Sequence, residues 1–187
     1  MEIGKEREAI LAAVNPLLGR GVFVFLKVPG SWRVLSTSAS PECNALGKEV
    51  VGERSRWITS GFMHALLVDD ERKKAYPLFV EAREFVNDVK ALEFIQKRLQ
   101  KLANESETTE RKPMRVGRHE AWYFVWTNRK RMFLKRKEVA LAHLECAIYC
   151  DSTKRVLIFR ISSSRVEDFM RDKEKMLSIL SSIVCHS

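Results

Sequence analysis

The alternation of apolar and polar residues divides the chain into strand-like and helix-like segments. Val22–Val28 (VFVFLKV) is rich in β-branched and aromatic residues and predicts a strand. Pro29-Gly30 predicts a turn into a returning strand over Trp32–Thr37. The same signals predict further strands over Trp57–Asp69, Gly117–Thr127, Val139–Cys150 and Arg155–Ser162, while Tyr76–Glu81 is either another strand or the approach to the next helix. Ser36–Gly52 and Asn104–Pro113 are polar or aperiodic, and we expect them to be loops.

Three segments carry apolar residues at helical spacing instead. The first is Lys5–Leu18, and the clearest is Phe85–Asn104, whose apolar stripe is surrounded by Lys, Arg and Glu. The last follows Ser164, which stands three residues before Glu167 as in a capping box. Its end, Ser181–His186, is expected to lead out of the domain.

These elements predict an α+β fold in which an antiparallel sheet is flanked by helices. Residues 1–187 are predicted to form a single domain. A hinge at Asn104–Pro113 is the alternative, but neither half then has enough strands to close a core of its own.

Composition narrows the class of protein. Hydrophobic residues make up 45% of the 187 residues, which suffices for a sizeable core. No apolar run approaches the roughly 20 residues of a membrane helix, and the first ten residues are charged, so we expect a cytoplasmic protein without a membrane contact. With 30% charged residues and only two Gln, the composition resembles that of thermophile proteins, in which intracellular disulfides occur.

The basic residues are concentrated in one window. Residues 111–137 hold ten Lys or Arg against one acid, Glu120, so this window alone accounts for the formal net charge of +9. A local cluster of cations favours an acidic partner more strongly than a high isoelectric point does.

Within this window, Arg129–Lys137 (RKRMFLKRK) places cations around an apolar trio and is the predicted partner-binding segment. Its six cations are Arg129, Lys130, Arg131, Lys135, Arg136 and Lys137. Two hypotheses stay open. The segment contacts another protein, or it binds a nucleic-acid backbone, with the upstream Trp122, Tyr123 and Trp126 either stacking on bases or filling the core.

Cysteine and histidine residues gather in the second half of the chain: His143, Cys146, Cys150, Cys185 and His186. Strand alternation places Cys146 and Cys150 on one face and His143 on the other, and the two thiols stand about 13 Å apart along the strand. We therefore predict no metal site. A disulfide between Cys150 and Cys185 is one alternative, and inert buried thiols are the other.

No motif of a catalytic or cofactor site is present. Cys43 has no recognisable partner motif, none of the four histidines is singled out as a base, and Gly47-Lys48 lacks the spacing of a phosphate loop. The sequence thus predicts a non-catalytic protein without a cofactor, and it does not specify the oligomeric state.

The order of the elements resembles the PsbP/Mog-like superfamily. The residues that carry the resemblance are Pro29-Gly30-Ser31-Trp32 after the early strand, Gly117-Arg118-His119-Glu120-Ala121 after the long helix, Met176-Leu177 in the last helix, and Ser182-Ile183 in the tail. The resemblance implies an α/β/α sandwich that works through its surface as an interaction module. It also marks the helix predicted over residues 5–18 as an addition to the core, and it supplies no partner.

Overall fold

The computed structural model describes residues 6–15, 20–36, 63–131 and 138–185 of the chain. Within these ranges it forms two helices and nine strands. In chain order they are β1 (Arg7–Asn15), β2 (Arg20–Val28), β3 (Trp32–Ser36), β4 (Met63–Asp69), β5 (Lys74–Glu84), α1 (Asp88–Glu105), β6 (Glu107–Val116), β7 (His119–Arg131), β8 (Glu138–Cys150), β9 (Arg155–Ser163) and α2 (Val166–Ser181).

Seven of these strands form one antiparallel sheet. Their order is β3-β4-β5-β9-β8-β7-β6, so β3 and β6 lie at the two edges and β9 at the centre. β1 and β2 form a separate two-stranded antiparallel hairpin. The predicted α+β fold class, an antiparallel sheet flanked by helices, is confirmed.

The two helices cover opposite faces of the seven-stranded sheet. Ala91, Ile95 and Leu99 of α1 pack on one face, which we call the α1 face, and their strand partners include Phe124 and Ile158. The other face, the α2 face, packs against both α2 and the β1–β2 hairpin. Its buried side chains include Leu11, Leu26, Tyr123, Cys146, Phe159, Phe169 and Met176. The central strand β9 has buried side chains on both faces, as its apolar run predicts.

The helix predicted over residues 5–18 is wrong. Arg7–Asn15 is a strand, and its register with β2 runs from the pair Arg7↔Val28 to Asn15↔Arg20. Leu11 is buried whereas Ile10 is exposed, which is the alternation of a strand. Because an isolated helix of this length is marginal in water, pairing with β2 and burial of Leu11 decide the conformation.

The partner predicted for the strand at Trp32 is also wrong. β3 pairs with β4 and not with the preceding β2. The predicted turn itself is present, since the Trp32 amide donates to the Pro29 carbonyl at 2.7 Å. Most of the predicted loop at Ser36–Gly52 and the first half of the predicted strand Trp57–Asp69 lie outside the described residues.

The loop predicted over Asn104–Pro113 is a helix end followed by a strand. α1 continues to Glu105, and β6 pairs with β7 from Glu107 to Val116. β6 lies at the sheet edge, where Arg111, Lys112 and Arg115 are exposed to solvent and their charges discourage pairing with another chain.

The ends of α2 differ from the prediction. Arg165 occupies the N-cap without a side-chain cap, and the Ser163 hydroxyl accepts from the Arg165 amide at 3.0 Å, so the capping box at Ser164 is wrong. The tail after α2 does not lead away. Val184 bridges to Phe25 of β2, with hydrogen bonds of 2.8 and 3.0 Å in the two directions.

Neither helix in the described part of the chain has the length and apolarity needed to cross a membrane.

Candidate functional site

The cations of the basic window do not form one patch among the described residues. Arg111, Lys112 and Arg115 lie on β6 and Arg118 lies in the turn before β7, whereas Arg129 is exposed near the far end of β7. Arg111 stands opposite Phe124, so it lies on the order of 17 Å from Arg129 along the strand direction. Arg111 and Arg115 share one face of β6, and Lys112 lies on the other.

The predicted binding segment Arg129–Lys137 is described only in part. The backbone of Lys130 and Arg131 continues β7 opposite Val139 and Glu138 of β8. Lys135, Arg136 and Lys137 lie outside the described residues. The role predicted for these six cations stays a prediction.

One cation of the window is bound in an ion cluster on the α2 face. Lys112 Nζ lies 2.7 Å from Glu110 Oε1, and the same carboxylate accepts from the Tyr123 hydroxyl at 2.6 Å and from Lys173 of α2. Hydrogen bonds from Lys112, Lys173 and Tyr123 lower the pKa of Glu110 to about 2. Glu110 thereby ties the edge strand β6 to α2, and Lys112 has a structural role.

A different group of residues forms an exposed aromatic and basic surface on the α1 face. Trp122 is 42% exposed, and the Arg111 guanidinium lies over its ring at 4.8 Å. Arg111 stands opposite Phe124, whose side chain packs under α1, and residues directly opposite in a sheet point to the same side. By alternation along β6, the exposed Arg115 also projects from the α1 face.

α1 extends this surface with two exposed apolar side chains, Val89 and Leu92. Arg98 on the sheet side of the helix contacts Glu81 of β5 and the buried Glu145 of β8. At 3.6 residues per turn, Leu92 lies about 120° round the helix from Arg98, on the flank away from β5, and Val89 lies next to it on the solvent side. We call this surface, formed by Val89, Leu92, Arg111, Arg115 and Trp122, the Trp122 surface.

The neighbouring aromatic residues do not contribute to it. Tyr123 and Trp126 are buried, on the α2 and α1 faces respectively. The core interpretation of these two residues is confirmed, and only Trp122 of the three presents an exposed ring.

A second site lies where the tail crosses the end of the sheet. His119 opens β7, Cys150 closes β8, and Cys185 follows the bridge to β2. The His119 Nε2 and Cys185 Sγ atoms lie 3.2 Å apart, and the three potential ligand atoms all lie within 4.8 Å of one another. We call these three residues the His119 cluster.

Gly117 brings the tail this close. Its φ is +56°, and its amide donates to the Ser181 carbonyl at 3.0 Å. A Cβ atom at this position would stand 2.8 Å from the Ile183 carbonyl oxygen, which is shorter than a van der Waals contact. A glycine is required here both for the left-handed backbone and for the approach of the tail.

The His119 cluster contains part of the residue set singled out in the sequence. Cys150 and Cys185 are both thiols in the structure, so the disulfide between them stays a prediction. His143 stacks on Trp126 at 4.9 Å on the α1 face, and Cys146 is buried under α2, as strand alternation predicts. His186 lies outside the described residues.

Sequence reasoning missed His119. Continuing the β7–β8 register beyond the pair Trp122↔Ala147 places His119 opposite Cys150. The pairing of β7 with β8 could have revealed His119 as the neighbour of Cys150. This requires the strand register without an error of even one residue, which the sequence does not provide.

Burial disfavours the thiolate form of Cys146 and Cys185. Burial, followed by the neighbouring Cys150, raises the pKa of Cys185 to about 12. Burial also raises the pKa of Cys146 far above the usual thiol value. Since the thiolate is the nucleophile, neither Cys146 nor Cys185 is activated for attack at neutral pH.

No protein-family model and no curated protein matches the chain. Among solved structures it is similar in fold to LpqN, a Mycobacterium tuberculosis protein involved in cell envelope biogenesis, with a TM-score of 0.52 and 14% identity over 97% of this chain and 91% of LpqN. A Pseudomonas aeruginosa protein of unknown function gives a TM-score of 0.48 at 10% identity, covering 95% of this chain and 98% of its own. A Bacteroides thetaiotaomicron protein gives a TM-score of 0.49 at 8% identity. The similar region covers 99% of this chain and 49% of the Bacteroides protein.

Proposed function

We propose that this chain is a non-catalytic protein-interaction domain of PsbP/Mog-like architecture, and that it binds an acidic segment of another protein at the Trp122 surface. The observation that carries the proposal is the exposed indole of Trp122 beside Arg111 and Arg115. Trp and Arg dominate the binding energy of protein interfaces, because each combines a large contact area with a polar group.

The arrangement of charge and apolar area supports a protein partner. Arg111 and Arg115 supply cations on the sheet, while Val89 and Leu92 supply apolar area on the helix. An acidic segment with one or two apolar side chains matches both features, since the carboxylates meet the guanidinium groups and the apolar residues cover Trp122.

The architecture part of the proposal rests on the element order and on the helices that cover both faces of the sheet. A cytoplasmic location is likewise our proposal.

A photocrosslinking experiment tests the binding surface. A photoreactive amino acid replaces Trp122 in the full chain, and the matched control carries it in place of Met170, an exposed apolar residue of α2. We expect one defined protein to crosslink at position 122 and not at position 170. Binding of that protein should weaken about tenfold or more in Arg115→Glu, and it should weaken with added salt.

Two outcomes would overturn the proposal. One is crosslinking at position 122 that is no stronger than at position 170. The other is a crosslinked product that nuclease removes, together with binding of RNA or DNA that depends on Arg129 and Arg131 instead of Arg115. That second outcome would establish the nucleic-acid hypothesis for Arg129–Lys137.

A further inference from the structure

His119, Cys150 and Cys185 bring together the ligand types of a zinc site from three separate parts of the chain. Two sulfur atoms and one imidazole nitrogen lie within 4.8 Å of one another, with His119 Nε2 and Cys185 Sγ at 3.2 Å. Zinc binds sulfur at about 2.3 Å and nitrogen at about 2.0 Å with tetrahedral geometry, which separates neighbouring ligand atoms by roughly 3.5–3.8 Å. The cluster is within about 1 Å of that spacing.

We propose that His119, Cys150 and Cys185 form a binding site for one zinc ion. The two thiols lose their protons to solvent when the metal binds, and His119 binds as a neutral imidazole. Two thiolates balance the charge of Zn²⁺, so the filled site is neutral, which suits the fully buried Cys150. Three protein ligands leave one tetrahedral position for water.

Contacts other than those of the three ligands hold the cluster in place. β7 and β8 are neighbours in the sheet, and the tail is fixed on one side by the bridge between Val184 and Phe25. On the other side, Gly117 binds the Ser181 carbonyl and lies against Ile183. Because these backbone contacts position Cys185, zinc binding needs little ordering of the chain.

His119 connects the cluster to the surface. A cavity of about 270 Å³ at this end of the sheet is lined by His119, Glu120 and Asp151, whereas Cys150 is buried behind it. Zinc that approaches from the β8–β9 turn would therefore meet the His119 imidazole first.

The sequence predicts no metal site because, of the set considered there, His143 lies on the other face of β8 and Cys146 stands about 13 Å from Cys150 along the strand. A Cys150–Cys185 disulfide uses the same two sulfur atoms and excludes zinc. The metal site therefore requires the reduced chain.

Metal content of the reduced full-length chain tests the proposal. The background protein carries Cys43→Ser, so that its thiols are Cys146, Cys150 and Cys185. Metal is removed with a chelator in the presence of a reductant. Zn²⁺ is then added, and bound zinc is measured by elemental analysis. The matched variants are Cys185→Ser and Cys146→Ala. Cys146 is a thiol on the same strand and face as Cys150 but outside the cluster.

We expect one zinc per chain in the background protein and in Cys146→Ala, and zinc should raise the unfolding temperature of both. Cys185→Ser should lower the affinity at least about 100-fold and abolish that rise, with His119→Ala acting in the same direction. Co²⁺ should give thiolate charge-transfer bands and tetrahedral d–d bands that disappear in Cys185→Ser.

The proposal would be overturned by a folded, reduced chain that binds no zinc. It would equally be overturned if Cys185→Ser bound zinc as tightly as Cys146→Ala does. Because Cys185 is only partly buried, Cys185→Ser is expected to fold, and circular dichroism confirms that independently of metal content.

Discussion

Glu145 is a carboxylate within the apolar layer between the sheet and α1. Its side chain is 1% exposed, and it forms a bidentate ion pair with Arg98 of α1 while its Oε2 atom also accepts from Arg160 Nε at 2.7 Å. Both guanidinium groups reach solvent in part, so the buried carboxylate connects the helix to the two central strands. Charge-assisted bonds of this kind fix geometry more than they add stability.

Glu145→Gln should destabilise the fold by about 2 kcal/mol, because it leaves two arginines without their anion in a poorly solvated layer. The measurement is urea unfolding at neutral pH. Glu84→Gln is the matched control, since Glu84 pairs with Arg155 in an exposed position where a change below about 1 kcal/mol is expected. Equal destabilisation by the two substitutions would contradict a special role for Glu145.

At the scale of single residues, face assignment was predictable and contact partners were not. Strand alternation correctly separates Cys146 and Cys150 from His143 and Glu145. It does not identify Arg98 as the partner of Glu145 or His119 as the neighbour of Cys150, because these contacts depend on inter-strand register and on where a helix is placed over the sheet.

At the scale of elements, the errors fall where local pattern and tertiary pairing disagree. β1 has apolar residues at spacings that fit a helix, but its nine residues gain more by pairing with β2 and burying Leu11. β6 has no apolar run, but it completes the sheet at an edge where polarity is tolerated. α1, with long helical periodicity and an Asn87 cap that accepts from the Lys90 amide, was predictable.

The link from β6 to α2 gives the fold a specific acid sensitivity. The pKa of Glu110 is lowered from 4.5 to about 2 by its bonds to Lys112, Lys173 and Tyr123. A carboxyl group whose pKa is lower in the folded state stabilises the fold fully at pH values above its pKa in the unfolded state. This stabilisation is lost as the pH falls through its pKa in the folded state. Glu110 therefore stabilises the protein fully above about pH 5, and that contribution disappears between 4.5 and about 2.

The difference in unfolding free energy between the unmodified chain and Glu110→Gln should accordingly be constant above about pH 5 and shrink as pH falls to about 2. Urea unfolding across this range measures it. Glu174→Gln is the control, because Glu174 contacts the same Lys173 at 3.4 Å but is 80% exposed, where an ion pair contributes less than about 1 kcal/mol. A Glu110 difference that does not change with pH would refute the assignment.

At the scale of the whole molecule, the β1–β2 hairpin is part of the main core. Leu11, Val24, Leu26 and Val28 belong to the same buried cluster as Phe159 and Met176. The sequence pattern predicted a sheet flanked by amphipathic helices, and the family resemblance implied helices on both faces. It could not predict that the β1–β2 hairpin covers one face of the sheet together with α2. No local sequence signal specifies which surface a hairpin packs against.

Leu26→Ala should lower the stability of the entire fold by about 3 kcal/mol and leave a single cooperative transition. Thermal unfolding followed by tryptophan fluorescence and by circular dichroism checks this. Phe25→Ala is the control. Phe25 is the neighbour of Leu26 in β2, but its side chain is 53% exposed, so its loss should lower the free energy of unfolding by less than about 1 kcal/mol. Separate melting of the hairpin would contradict the single-domain prediction.

The attachment of the tail to β2 sets the order in which the protein can mature on the ribosome. The Lys27 amide donates to the Ser182 hydroxyl, and 155 residues separate the two partners. The edge of β2 that does not pair with β1 therefore stays open until residues 155 positions later have been made. Contacts so distant in sequence slow folding, and until the tail docks, the free edge of β2 is a surface that a chaperone can bind.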